Sequence, residues 1–246
     1  MTTATPDPSV ASGERTHPVD EPTPSPATGW TLWAVLRRPA PGASAAAGTT
    51  ARPALAEAIA ALPGDVTVRG VYDTTALRAD AAIMVWLHGT SAEAIQDAWR
   101  ALRATVELHG LEERWNALGV DRPAEFSRNH VPAFLRGAPP RRWLTVYPFV
   151  RSYDWYLLPT EERAEMLREH GGKGRVHEGV LSNTVASFAL GDYEWLLGLE
   201  SDELVELVDL MRDLRQTEAR RHVREEVPFF TGRRIEADEV AGVLAL

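Results

Sequence analysis

Hydrophobic and polar positions along the first half of the chain predict strands and helices in a regular order. Runs rich in apolar and β-branched side chains predict three strands, at residues 30–38, 66–72 and 81–88. Apolar residues at helical spacing predict two helices, one over residues 53–62 and one that Ser91 caps and that extends to about His109. The predicted order is therefore β-α-β-β-α.

The second half repeats this order after residues 110–140, which show no regular pattern and are predicted to form an irregular joint. Strands are predicted at residues 143–151, 183–190 and 193–200, and a helix at residues 160–170. Gly191 and Asp192 predict a tight hairpin between the last two strands.

The last long helix is predicted to begin at Ser201, with the acidic residues Asp202 and Glu203 in its first turn. Its apolar stripe consists of Leu204, Leu207, Val208, Met211 and Leu214.

These elements predict an α+β fold built from two similar units, each an antiparallel sheet with helices on one face. Two such sheets fused side by side can wrap into a barrel, which leaves a pocket between sheet and helix. Residues 1–29 hold six prolines and almost no large apolar side chains, so we predict a disordered tail. The predicted units are residues 30–140 and residues 141–246, and the second unit carries the candidate site.

Composition narrows the possible chemistry. The chain has no cysteine, which excludes disulfides, thiolate nucleophiles and zinc-thiolate or iron–sulfur sites. No apolar run approaches the length of a membrane span, and no apolar segment typical of a signal peptide follows a basic start. A net charge of −9 argues against nucleic acid as the main partner. We therefore expect a cytoplasmic protein without a membrane span.

An aromatic stretch that includes an arginine, YPFVRSYDWY, supplies the first candidate residues. Strand alternation would place Tyr147, Phe149, Arg151, Tyr153 and Trp155 on one face. Such a stripe is often simply core. A guanidinium among rings, however, favours an anionic partner or a ring to stack on, so a carboxylated ligand over this strand is the functional interpretation.

Two histidines are further candidates. His170 lies at the predicted helix end before two glycines, where it could interact with the helix dipole or bind a metal. A single histidine suits haem iron, because the porphyrin supplies four ligands and the protein needs to give only one. His130 precedes Val131 and Pro132 in a loop, where it is either exposed without a role or a proton acceptor near neutral pH.

A run of basic residues near the C-terminus could hold a carboxylate-rich ligand, although the acids that flank it also fit a solvated face with ion pairs. The run contains Arg215, Arg220, Arg221, Arg224, Arg233 and Arg234.

Three stretches together resemble the chlorite dismutase-like superfamily, and within it the coproheme decarboxylases of the actinobacterial type. They are YPFVRSYDWYLLPTEERAEMLREHG, NTVASFALGDYEW and LRQTEARRHVREEVPFFTGRR. The resemblance implies two fused ferredoxin-like units, a dimeric α+β barrel with helices on the outer face, assembled as a homopentamer. It also implies oxidative decarboxylation of two propionates of iron-coproporphyrin III, the substrate and redox cofactor, by hydrogen peroxide. The product is haem b, and the preceding ferrochelatase is a possible transient partner.

The resemblance further implies roles for individual residues. His170 matches the iron ligand, and Tyr147 matches the tyrosine whose radical removes hydrogen from a propionate. His130 matches the distal histidine that deprotonates peroxide. Trp155 matches a tryptophan near the substrate, and Arg220 falls where a basic residue contacts a propionate.

The resemblance also places the segment Tyr147, Pro148, Phe149, Val150 and Arg151 at the cofactor. Chlorite-degrading members have an arginine in the strand that matches NTVASFAL, and this chain has none there. The alternatives are a haem peroxidase or chlorite dismutase of the same fold, and a haem-binding or delivery protein without turnover.

Overall fold

The computed structural model describes residues 29–40, 51–123, 125 and 131–245. The predicted disordered tail up to residue 28, most of the linker after the first strand, and His130 lie outside the described residues. Among the described helices, none is long and apolar enough to cross a membrane.

Nine strands are present in the described chain. They are β1 (Trp30–Arg37), β2 (Val66–Asp73), β3 (Ile83–Gly89), β4 (Glu112–Val120), β5 (Trp143–Arg151), β6 (Leu181–Ala186), β7 (Trp195–Ser201), β8 (Val223–Glu225) and β9 (Phe230–Ile235). The helices are α1 (Leu55–Ala60), α2 (Ala92–Arg103), α3 (Thr160–Arg175), α4 (Leu204–Leu214) and α5 (Val240–Leu244).

The strands form one antiparallel sheet in the order β7-β6-β4-β1-β3-β2-β9-β5-β8, and β7 also pairs with β5. That additional pairing closes every strand except β8 into a barrel. Within the barrel, the order β4-β1-β3-β2 is that of one ferredoxin-like unit and β9-β5-β7-β6 that of a second. The predicted α+β class and the pairing of two ferredoxin-like sheets are thus confirmed.

The two sheets join at two short seams. Strand β4 pairs with β6 only at Val120 and Ala186, and β2 pairs with β9 from Val71–Ile235 to Asp73–Arg233. Gly119 permits the first seam, because a Cβ at this position would collide with the Val185 side chain. Because these seams are short, side chains inside the barrel have to hold the two units together.

Buried side chains form three clusters. Residues of both units, among them Trp33, Trp86 and Phe230, fill the barrel. A large cluster lies between the first sheet and helices α1, α2 and α5. A much smaller cluster lies between the second sheet and α4, where Tyr147 packs with Leu199 and three leucines of the helix. The outer face of the second sheet is therefore only partly covered by its own helices.

The sequence pattern missed the last strand of each unit. Strand β4 lies within residues 110–140, which were predicted to be irregular, because Glu112, Glu113 and Arg114 hide any apolar alternation. Its strand structure comes from pairing with β1 along nearly its whole length. Strand β9 lies in the arginine-rich run, where Phe230 and Ile235 are buried and the arginines form ion pairs at the surface.

Two helix ends also differ from prediction. Helix α2 ends at Arg103 rather than near His109, because the Thr105 hydroxyl donates to the Leu102 carbonyl at 2.7 Å and the chain turns. Helix α3 continues to Arg175, so His170 is not its last residue. Lys173 and Arg175 occupy the last turn, where the helix dipole favours basic side chains.

The connections on either side of β7 were also predicted wrongly. The loop between β6 and β7 spans residues 187–194 rather than a tight turn at Gly191-Asp192. Ser201 ends β7, and the N-cap of α4 is Glu203. The Ser201 hydroxyl nevertheless accepts a hydrogen bond from the Glu203 backbone at 3.2 Å.

A buried ion pair links the two units inside the barrel. The Arg69 guanidinium on β2 donates to Glu200 on β7 at 2.9–3.2 Å, and both side chains are almost fully buried. Glu200 also accepts hydrogen bonds from Asn183 Nδ2 at 3.0 Å and from the Arg141 backbone N–H at 3.2 Å. Arg69 donates a further hydrogen bond to the Ala138 carbonyl at 2.9 Å. The carboxylate and guanidinium are thus both supplied with hydrogen bonds.

We expect Arg69→Met to lower the free energy of unfolding by about 3–5 kcal/mol, because it leaves the Glu200 charge buried without its main partner. Urea unfolding followed by tryptophan fluorescence measures the change. Arg37→Met is the matched control, since the Arg37–Glu112 pair is exposed and such pairs contribute about 1 kcal/mol or less. Equal losses in the two variants would contradict the importance of the buried pair.

Candidate functional site

Strand β5 presents a row of functional side chains on the outer face of the second sheet. Tyr147, Phe149 and Arg151 alternate along the strand and line one cavity. Pro148 and Val150 are buried and lie on the opposite face, toward the barrel interior. Of the five predicted site residues on this strand, the structure therefore brings the side chains of Tyr147, Phe149 and Arg151 together. The side chains of Pro148 and Val150 lie apart from them.

Helix α3 leaves space between itself and this sheet. Helix α2 of the first unit buries Ile95, Ala98 and Leu102, whereas α3 buries no residue. Its sequence, TEERAEMLREHGGKGR, offers few apolar side chains that could fill the gap. Because the sheet beneath remains incompletely covered, cavities form where the first unit has core.

Two cavities occupy this space and meet at His170. The smaller, of about 50 Å³, is lined by Tyr147, Phe149, Arg151, Leu167, His170, Leu197, Met211, Leu214, Arg215, Ala219, Arg220, Val223 and Glu226. The larger, of about 650 Å³, extends along α3 toward Arg175 and His177. Leu167, Leu197 and Leu214 line both cavities together with His170.

Tyr147 is held rigidly at the inner wall. Only 3% of its surface is exposed, and its ring stacks on Phe229 with centroids 4.4 Å apart and an angle of 17°. Burial raises the pKa of Tyr147 well above its usual value. The charge of Glu226 raises it further, and Arg215 and Arg220 oppose that effect. The phenol therefore keeps its proton at neutral pH.

Arg151 is a half-buried cation whose described neighbours do not satisfy all of its donors. Its guanidinium lies 4.1 Å from the Trp155 ring centroid and 4.9 Å from that of Phe149. Its Nε is buried and has no hydrogen-bond partner among the described residues. Burial lowers the pKa of Arg151, against the opposite effect of nearby acids such as Glu125 and Glu194. A ligand carboxylate would satisfy this group.

His170 is oriented by Thr217. The Thr217 hydroxyl donates to the Leu214 carbonyl at 3.0 Å, so it accepts from His170 Nδ1–H at 3.3 Å. This arrangement leaves the lone pair on Nε2, the nitrogen available to a metal. Burial, then the charge of Arg151, lower the pKa of His170, while Glu226 and Glu169 raise it. The net lowering favours the neutral imidazole that a metal ligand requires.

The other predicted residues occupy different positions around the cavities. Trp155 does not continue the β5 face but lies in a 3-10 turn, fully buried, where it contacts Arg151 and donates from Nε1 to Glu125 at 2.5 Å. Tyr153, predicted on the same face, is 78% exposed. Arg220 lines the smaller cavity. His130 lies outside the described residues.

Sequence patterns did not single out Thr217 and Glu226. Thr217 follows the last apolar position of α4 by three residues, and only its hydroxyl contact with His170 reveals its position at the site. Glu226 is one of the acids within the basic run, for which a solvated face was one of two interpretations, and it lines the cavity between two arginines. Arg215 was noted in that run without an assigned contact. No local sequence signal identifies these three contacts.

The residues present fit a haem-type group. A cluster of three or more histidine, aspartate or glutamate side chains able to hold a metal ion does not occur in the described part of the chain. One histidine suffices if the ligand brings its own equatorial ligands. The larger cavity falls within the volume range of ligand pockets, roughly 300–1,000 Å³, and the unpartnered Nε of Arg151 fits a peripheral carboxylate.

Known proteins support this description. The family model for chlorite dismutase matches residues 48–235. A coproheme decarboxylase from Mycolicibacterium smegmatis is 53% identical over 180 residues, which cover 73% of this chain and 78% of that protein. A putative heme-binding protein from Halobacterium salinarum is 32% identical over 112 residues, which cover 44% of this chain and 23% of that protein.

Solved structures agree on the fold. The crystal structure of a chlorite dismutase variant from Candidatus Nitrospira defluvii has a TM-score of 0.73 and covers 89% of this chain and 96% of its own. Its sequence identity of 20% supports the fold alone. The match of the family model over most of the sequence establishes that the chain belongs to the chlorite dismutase family.

Proposed function

We propose that this chain is a coproheme decarboxylase that converts iron-coproporphyrin III, its substrate and redox cofactor, to haem b. The observation that carries the proposal is the cavity shared by a buried tyrosine, an oriented histidine and an unsatisfied arginine, Tyr147, His170 and Arg151. The 53% identity to the coproheme decarboxylase of Mycolicibacterium smegmatis supports the same activity.

In this proposal His170 binds the substrate iron through Nε2, and Thr217 holds the ring in the required tautomer. Arg151 and Arg220 bind propionates, and the rings of Phe149 and Trp155 hold the Arg151 guanidinium in place. These contacts orient a propionate toward Tyr147.

Tyr147 is the residue that reacts with the propionate. The bound iron porphyrin supplies the oxidising power derived from hydrogen peroxide. Tyr147 gives up an electron and its phenolic proton, and the tyrosyl radical then removes a hydrogen from the propionate β-carbon. The propionate radical gives a second electron to the oxidised iron porphyrin and loses carbon dioxide as the vinyl group forms, so that one propionic acid and one hydrogen peroxide yield a vinyl group, carbon dioxide and two waters.

Other features of the proposal rest on sequence resemblance. His130 is the proposed base for peroxide, and Trp155 is the proposed tryptophan close to the substrate. The homopentamer and a transient contact with ferrochelatase stay predictions.

The proposal is tested by titrating the purified chain with iron-coproporphyrin III, adding hydrogen peroxide, and identifying the porphyrins by mass. We expect binding, then stepwise loss of two carboxyl groups. Tight binding without a mass change would instead support a peroxidase or a carrier. Failure to bind would refute a haem-type site at His170.

We expect Tyr147→Phe to bind iron-coproporphyrin III as the parent does but to lose decarboxylation, since the ring still stacks on Phe229 and the oxidisable hydroxyl is gone. The rate of vinyl formation should fall at least about a hundredfold, the scale on which loss of one reacting group acts. Tyr153→Phe is the control, because Tyr153 is 78% exposed. Parental rates in the Tyr147 variant would remove this residue from the reaction.

We expect Thr217→Val to weaken binding of iron-coproporphyrin III about tenfold, because the His170 ring loses the acceptor that orients it. Thr217→Ser, which retains a hydroxyl, should bind as the parent does. Metal-free coproporphyrin III should bind equally to all three proteins, since it has no iron to bind. A similar loss for the metal-free ligand would show that Thr217 acts on the cavity rather than on His170.

A further inference from the structure

Glu226 holds two arginines on the wall of the smaller cavity. One of its carboxylate oxygens, Oε2, lies 2.6 Å from Arg215 Nη1 and 2.6 Å from Arg220 Nη1. The carboxylate is 13% exposed, whereas each arginine side chain is 38% exposed. The three groups line the same cavity as Tyr147. Two cations therefore share one internal anion directly beside the tyrosine.

Arg151, which lines the same cavity, is compensated differently. No carboxylate forms an ion pair with its guanidinium in the described chain, and its contacts are the rings of Phe149 and Trp155. A ligand carboxylate can therefore meet Arg151 without displacing a protein anion. A carboxylate that approaches Arg215 and Arg220 has to displace Glu226, because two anions at one partly buried pair repel each other.

We propose that Glu226 is an internal counter-ion that reduces the preference of the site for ligands that carry a carboxylate beside Tyr147. This inference rests on the proposed function. A propionate beside Tyr147 takes the place of Glu226 on Arg215 and Arg220. After that propionate has become a vinyl group, Glu226 pairs with the arginines again, so neither cation is left uncompensated in a partly buried site.

The consequence is a small difference in affinity between substrate and product. Without Glu226, a ligand carboxylate would meet two uncompensated guanidiniums and bind more tightly. A ligand without that carboxylate would leave both cations unpaired and bind no better. Removal of the Glu226 charge should thus widen the gap between a tetracarboxylate and a dicarboxylate porphyrin.

The test compares metal-free coproporphyrin III, with four carboxylates, and metal-free protoporphyrin IX, with two, in titrations of the full chain followed by quenching of tryptophan fluorescence. For Glu226→Gln we expect the ratio of the two dissociation constants to shift about tenfold in favour of coproporphyrin, the effect of one charge-assisted hydrogen bond. Glu225→Gln is the matched control, because it removes the same charge from the neighbouring exposed position, and its ratio should match the parent's.

Arg215→Gln provides an independent variant, and it should shift the ratio toward protoporphyrin because one of the two cations is lost. The inference is overturned if Glu226→Gln leaves the ratio of dissociation constants unchanged. This includes the case in which both porphyrins bind equally more weakly, which would indicate a structural role. If the parent protein binds neither of these porphyrins nor iron-coproporphyrin III, the proposed function itself fails, and this outcome is distinct from both of the others.

Discussion

The ion pair between Arg69 and Glu200 is the constraint on which the barrel depends. The seams between the two units are short, so strand pairing alone fixes their relative position only weakly. A buried carboxylate and guanidinium are stable only if both stay together and keep their other hydrogen bonds. Arg69 on β2 and Glu200 on β7, two strands that do not pair with each other, therefore both have to point inward and meet inside the barrel. Glu200 is paired with Leu144 of β5, so both side chains point inward, and alternation along β5 then turns Tyr147 outward.

The candidate site exists because the helices of the two units cover their sheets to different extents. In the first unit, helix α2 covers the sheet with Ile95, Ala98 and Leu102. In the second, α3 has no buried side chain, and the sheet face beneath it presents Tyr147 and Arg151. A cavity of this kind costs stability, since its walls lose contacts that a filled core would make. Helix α3 therefore packs less closely than α2 does, and the space left beneath it forms the candidate site.

The predictable features were those encoded in local pattern. Apolar runs predicted the central strands, and alternation within β5 placed Tyr147 and Arg151 on one face. Strands β4 and β9 were missed because charged residues interrupt their apolar pattern and their structure comes from pairing with neighbouring strands. The same limit applies to the site, since Thr217 and Glu226 act through contacts with residues far away in the sequence or through shared partners. Local pattern carries no information about those contacts.

The space between α3 and the sheet couples ligand binding to the stability of the second unit. A flat ligand between α3 and the sheet would contact Leu167, Leu197 and Leu214, which line both cavities, and so complete the small outer core. A ligand that binds only the folded state stabilises it by an amount that grows with the logarithm of ligand concentration over the dissociation constant. Such a ligand would thereby add to the packing of α3 against α4 that already holds this helix in place. His170, five residues before the end of α3, would then meet the ligand with a ring that Thr217 already orients.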